Sequence, residues 1–139
     1  MPETVKRITM KKRVLFICRN NSGRSQMAEG ILRNMYGEHY HVQSAGSQPR
    51  EINPLTVKVM EEIGIDMSSH KPTDLRELEG EEFDVVVSLC DETCPVFPGG
   101  KRYIHAEFPD PAGGDIARFR RIRDEIAEWI RTEFKPGDD

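Results

Sequence analysis

Val14-Leu15-Phe16-Ile17-Cys18-Arg19-Asn20-Asn21-Ser22-Gly23-Arg24-Ser25 is the stretch on which the fold turns. An apolar, β-prone run ends on a cysteine, and an arginine, a serine and a helix-forming stretch follow. A strand that delivers a thiol into a tight loop at a helix N-terminus is suited to attack a tetrahedral oxyanion. The backbone of Arg19, Asn20, Asn21, Ser22, Gly23 and Arg24 offers successive N–H groups as a concave anion nest, and the helix dipole adds positive potential. Arg24 can fork onto two oxygens of the same anion. The same field favours the thiolate of Cys18, its nucleophilic form. In isolation Cys18 reads as a core thiol, since free cysteine is among the most buried residue types. That reading leaves the Asn-Asn-Ser-Gly turn and the following Arg24-Ser25 unexplained. The Gly-x-x-x-x-Gly-Lys-Ser/Thr pattern of a nucleotide-binding loop is absent.

Outward from this stretch, residues 13–18 read as a buried strand and 23–36 as a helix closed by Gly37. Tyr40 to Ser44 reads as a second strand, ended by Ala45-Gly46. Asn53-Pro54 opens a helix with an N-cap and a proline at its first position, and Gly64 stops it. Phe83 to Cys90 reads as a third buried strand and Lys101 to His105 as a fourth. Asp115 caps a last helix in which Ile116, Phe119, Ile122, Ile126 and Ile130 recur at helical spacing. Strands alternating with helices predict an α/β domain with a central four-stranded parallel sheet, flanked by helices on both faces. In such folds ligands bind beyond the carboxyl ends of the strands. Cys18 and Cys90 are both expected on that rim.

The chain has 139 residues and a formal net charge of -4, which suits one domain and argues against a general nucleic-acid scaffold. Residues 1–11 are expected to be a flexible N-terminal extension, with the domain spanning 12–139. No run approaches the ~20 apolar residues of a membrane span, and the start lacks the apolar stretch of a secretory signal. A cytoplasmic location is expected. The three cysteines do not make a disulfide scaffold; in a reducing compartment they suit catalytic, metal-binding or redox work.

Cys90-Asp91-Glu92-Thr93-Cys94-Pro95 admits three readings. The cysteines are core residues, zinc ligands completed by His70 and His105, or a redox pair that takes a disulfide from Cys18 and carries it outward. The redox pair is favoured. Expelling oxygen from an attacked oxyanion also requires a proton. Asp110, held in Phe108-Pro109-Asp110-Pro111-Ala112-Gly113-Gly114, is the candidate acid.

Cys18-x5-Arg24-Ser25, Gln26-Met27-Ala28-Glu29-Gly30, Ser44-Ala45-Gly46 and Asp110-Pro111 together resemble the low-molecular-weight tyrosine phosphatase fold. More narrowly, the chain is similar to the thioredoxin-coupled arsenate reductases built on that fold. The resemblance implies catalytic roles for Cys18, Arg24, Ser25, Cys90, Cys94 and Asp110. Cys18 would attack arsenate, with Arg24 and the loop holding its oxygens and Asp110 protonating the departing hydroxyl. Cys90 would attack the adduct and release arsenite, and Cys94 would then free Cys18. Thioredoxin or another thiol donor would reduce the exported disulfide. Phosphate or sulfate would bind as oxyanion analogues, and no cofactor is required. Some members bind a potassium ion; the matching positions are Asn21, Glu29, Ser44 and Asp74.

The chain departs from that pattern in the short Cys90-x3-Cys94 gap and in the charged Arg19 within the loop. A tyrosine phosphatase would use the same Cys18, Arg24 and Asp110. Against it stand Ala112, where phosphatases usually place an aromatic residue, and two further cysteines without a task. An arsenite- or metal-binding sensor would leave Arg24 and Asp110 unexplained.

Overall fold

Strand β1 (Lys12–Cys18) forms where apolar residues run without alternation, and it is buried from Val14 onward. Such a run belongs to a strand covered on both faces. The computed structural model describes residues 11–90 and 95–134. Cys94, and the expected extension apart from Lys11, lie outside these residues.

After β1 come helix α1 (Arg24–Tyr36), strand β2 (Tyr40–Gly46) and helix α2 (Pro54–Glu61). A single 3₁₀ turn (Leu75–Leu78), strands β3 (Phe83–Ser88) and β4 (Gly100–His105), and helix α3 (Ile116–Glu133) complete the described chain. The helix starts follow the caps read in the sequence. The Asn53 side chain accepts from Leu55 N ahead of α2, and Asp115 accepts from Arg118 N ahead of α3. Gly64, at φ +81°, turns the chain beyond α2 in a conformation that favours glycine.

All strand pairs are parallel, in the order β2-β1-β3-β4. The chain therefore moves from β1 to β2 on one side, then crosses to β3 and β4 on the other. The crevice beyond the carboxyl ends of β1 and β3 is the topological switch point, the usual ligand position in an open α/β sheet. Cys18 ends β1 there. β2 runs two residues past its expected end because pairing with β1 continues to Cys18 opposite Gly46. β3 stops short of its expected end. Ser88 is its last residue, and Cys90 sits two positions beyond it, fully buried.

Side-chain alternation along β1 divides the core. Val14 and Phe16 pack with Val85, Val87 and residues of all three helices, among them Ile31, Val59, Phe119 and Ile126. Leu15 and Ile17 pack on the opposite face with Ala45, Phe83, Val86, Leu78 and Phe97. Both faces are covered, but unequally. The α-helices share one layer, while the other face is closed by the 3₁₀ turn and the approach to β4. Strand β4 is an edge and mostly exposed. Among the described residues no helix is long and apolar enough to cross a membrane.

Candidate active site

Cys18 leaves β1 as a buried free thiol, 3% exposed. The chain then turns through Arg19–Gly23 into α1. The carbonyls of this loop face outward to the segment after β2: Gln48 N donates to Arg19 O at 2.9 Å, Arg50 N to Asn20 O at 3.0 Å and Asn53 N to Ser22 O at 3.1 Å. Asn20 Nδ2 returns a bond to Gln48 O at 2.8 Å. Among the described residues no backbone carbonyl takes the amides of Asn20–Gly23. Gly23, the N-cap of α1, supplies no side-chain acceptor, and the first turn carries no acid. The start of α1 thus keeps donors and positive potential for an anion.

A cleft of about 260 Å³ opens over this loop, lined by Cys18, Asn20, Ser22, Gly23, Arg24 and Asp110 together with Arg50–Pro54 and Ala112. Arg24 is buried, 3% exposed, and its Nη1 donates to the Phe108 carbonyl at 3.1 Å. Its Nη2 lies 3.6 Å from Asp110 Oδ2. Asp110 is half exposed at the rim, its Oδ1 accepting from Ala112 N at 3.0 Å. Nucleophile, oxyanion clamp and carboxylate therefore share one cleft. Arg19 and the Asn21 side chain do not line it. Arg19 is exposed, and Asn21 is fully buried behind the loop.

Asn21 holds the loop from behind. Its Oδ1 accepts from Thr73 N at 2.8 Å and from Gln26 Nε2 at 3.1 Å. A backbone N–H can only donate, so the amide orientation is settled. Both Nδ2 protons then go to hydroxyls, Ser25 Oγ at 2.8 Å and Ser44 Oγ at 2.9 Å. Ser44 passes its own proton to Glu29 Oε1. Ser25 Oγ, accepting from Asn21, is also hydrogen-bonded to Cys18 Sγ at 2.9 Å, and it is the donor once Cys18 is a thiolate. That bond strengthens as the sulfur gains charge. Gly46 completes the support: a Cβ there would meet Arg19 O at 2.5 Å and Cys18 O at 2.8 Å.

Asn21, Ser44 and Glu29 converge as expected of a potassium site, but Asp74 does not join them. Its carboxylate pairs with Arg76 at 2.8 Å and caps the 3₁₀ turn, and the Arg76 hydrogen bonds hold it below its ordinary range. Each Glu29 oxygen already accepts a bond, one from Ser44 and one from Arg33 Nη2 at 2.6 Å. Asn21 Oδ1 accepts two. With Asp74 turned to Arg76 and the other oxygens engaged by protein donors, this arrangement lacks the fourth ligand of the expected cation set. Among the described residues no group of three His, Cys, Asp or Glu could hold a metal. His70 stands beside Glu29. Burial holds its imidazole below the ordinary 6.5, with the Glu29 carboxylate acting in the opposite sense.

Cys90 is fully buried and disulfide-bonded. Leu89 N donates to Ile17 O at 3.0 Å, so Cys90 follows directly past the level of Cys18 on the neighbouring strand. Cys94 falls outside the described residues. One contribution escaped the sequence reading. The cleft wall at residues 50–52 carries no motif, whereas Asn53-Pro54 was visible as a helix start and Gly46 within Ser44-Ala45-Gly46.

Comparison with known proteins places this geometry. The family model described as low molecular weight phosphotyrosine protein phosphatase matches residues 13–135. Arsenate reductase 2 of Staphylococcus saprophyticus is 43% identical over 127 residues, which cover 89% of this chain and 97% of the relative. A solved arsenate reductase in its phosphate-binding state superposes with a TM-score of 0.81 at 31% identity, covering 87% of this chain and 95% of that one. A thioredoxin-dependent arsenate reductase of Corynebacterium glutamicum gives a TM-score of 0.63 at 29% identity, covering 93% of this chain and 65% of that one. The chain belongs to the low molecular weight phosphotyrosine protein phosphatase family, and the relatives named above are arsenate reductases.

Proposed function

We propose that this protein reduces arsenate to arsenite through Cys18, Cys90 and Cys94. The Cys18 thiolate attacks arsenic in a tetrahedral oxyanion held by the loop amides and Arg24. A sulfur–arsenic bond forms, and one hydroxyl leaves as water with the proton of Asp110. The Cys90 thiolate then attacks the Cys18 sulfur. The sulfur–arsenic electron pair stays on arsenic, which passes from As(V) to As(III), and a Cys18–Cys90 disulfide remains. Attack of Cys94 on Cys90 frees Cys18, and two electrons from a dithiol such as thioredoxin reset the pair. This chemistry suits the reducing cytoplasm.

The observation that carries the reading is the free Cys18 in the oxyanion cleft with a disulfide-bonded Cys90 just past the end of the adjacent strand. A free nucleophile with Cys90 oxidised is the arrangement expected once Cys18 has been released. The names of the relatives support the substrate, and the Corynebacterium neighbour supports the donor.

The test follows NADPH oxidation with arsenate, thioredoxin and thioredoxin reductase, beside hydrolysis of an aryl phosphate. Sustained arsenate-dependent oxidation is expected from the wild type, and one turnover without recycling from Cys94→Ser. Brisk aryl phosphate hydrolysis without arsenate-dependent oxidation, whichever thiol donor is supplied, would make the protein a phosphatase instead.

A further inference from the structure

We propose that the guanidinium of Arg33 is the built-in cation that orients the hydrogen-bond chain behind Cys18, in place of a bound potassium ion. The inference deepens the oxyanion-site reading above and rests on it. Arg33 lies one helical turn after Glu29 on α1. An ordinary i,i+4 pair on a helix surface contributes a few tenths of a kcal/mol and holds nothing else in place. This one is more committed. Arg33 Nη2 reaches Glu29 Oε2 at 2.6 Å and also the carbonyl of Val42 on β2 at 2.6 Å. Its Nη1 lies 3.4 Å from His70 Nε2.

The tautomer of His70 fits this placement. Gln26 Nε2 donates to Asn21 O and Lys71 O, so Gln26 Oε1 is the acceptor for His70 Nδ1–H at 3.0 Å. His70 Nε2 is then a lone pair facing Arg33. The guanidinium therefore meets a carboxylate, a carbonyl and an imidazole lone pair, which are the donors a cation would take.

The consequence runs along one directed chain. Arg33 holds the Glu29 carboxylate in place, and Glu29 accepts from the Ser44 hydroxyl. Ser44 then turns a lone pair to Asn21, whose amide supports Ser25, and Ser25 donates to Cys18. With Cys18 as the thiolate, every link from Glu29 to the sulfur has one direction. Arg33 is a positioning residue: it acts on the nucleophile through four others and touches no substrate.

Thermal melting and binding of inorganic phosphate, in potassium, sodium or choline chloride at equal ionic strength, test the proposal. Neither readout depends on arsenate reduction, so a failed reductase assay leaves them interpretable. The wild type is expected to melt and bind phosphate alike in all three salts. Arg33→Met should weaken phosphate binding about fivefold, the scale of one net hydrogen bond, and Arg33→Lys should recover most of it. A potassium-specific rise in wild-type melting temperature would overturn the proposal. So would unchanged phosphate affinity in Arg33→Met, which would reduce Arg33 to a surface brace. If Arg33→Met does not fold, the wild-type salt comparison and Arg33→Lys decide it.

Discussion

Asn21 carries two burdens that no other side chain could meet together. Its φ of +51° lies in the left-handed region, where most residues lose roughly 1–2 kcal/mol and asparagine is better tolerated. Its amide meanwhile joins Thr73, Gln26, Ser44 and Ser25 from a fully buried position. The two burdens can be separated. Asn21→Gly keeps the backbone and strands four hydrogen-bond partners, whereas Asn21→Ala adds strain to the same loss. Both should destabilise, by about 1–3 kcal/mol for the unsatisfied partners, and Ala by about 1 kcal/mol more than Gly. Urea midpoints of the two variants against wild type measure this. Equal midpoints for Gly and Ala would show that the left-handed loop conformation is not under strain. Both variants should also slow attack by Cys18, because Ser25 loses the donor that directs its proton to sulfur.

At the scale of elements, the start of α1 is specialised by what Gly23 omits. Most helices satisfy an early amide with a Ser, Thr, Asp or Asn side chain, worth about 0.5–2 kcal/mol. Here those donors face the cleft instead. A Cβ at Gly23 would have only Thr56 Oγ1 nearby, at 3.8 Å, so a side chain can be accommodated. Gly23→Asp places a carboxylate at the helix start and in the cleft at once. The expected outcome is an unchanged or slightly raised melting temperature with phosphate binding weakened tenfold or more, read by calorimetry. Tight phosphate binding in that variant would mean the anion does not use the helix terminus. The elements that build this floor were legible from local pattern: an uninterrupted apolar run for β1, helical spacing for α1, and Asn and Asp caps for α2 and α3. The cleft wall at residues 50–52 was not, since its place comes from backbone bonds to a loop some thirty residues earlier. The 3₁₀ turn was missed although Asp74-x-x-Glu77 spells a capping box. That same cap removes Asp74 from the cation set, and the reach of Arg33 from α1 to the Val42 carbonyl on β2 exists only once the two have packed.

Across the whole molecule, the strand order sets where chemistry occurs and the helical layer holds it there. Asn53, which caps helix α2, anchors the nucleophile loop through its backbone amide, and the far end of α2 is fastened to α3. Glu62, just past α2, accepts from Arg120 at 2.7 Å and from Arg123 at 2.9 Å, while Arg123 also donates to Val59 O at 2.9 Å. The Arg120 hydrogen bond, followed by that of Arg123, lowers the Glu62 carboxyl from its ordinary 4.5 to about 2. A carboxylate with a depressed folded-state value stabilises fully above its unfolded value, and that contribution fades as pH falls toward the folded one. The contribution of Glu62 should therefore be complete above pH 4.5 and dwindle toward pH 2. Glu62→Gln, which cannot ionise, should melt below wild type at pH 6, with a deficit that narrows steadily between pH 4.5 and pH 3. Added salt should narrow it as well, because the pair is open to solvent. Arg123 sits deeper than Arg120, with a side chain 10% exposed against 46%, so Arg120→Met should remove mainly the salt-sensitive part. A Glu62→Gln deficit that is the same at pH 6 and pH 3 would place the loss in packing rather than charge. The clamp would then steady α2 through shape alone, leaving the cleft wall indifferent to acid.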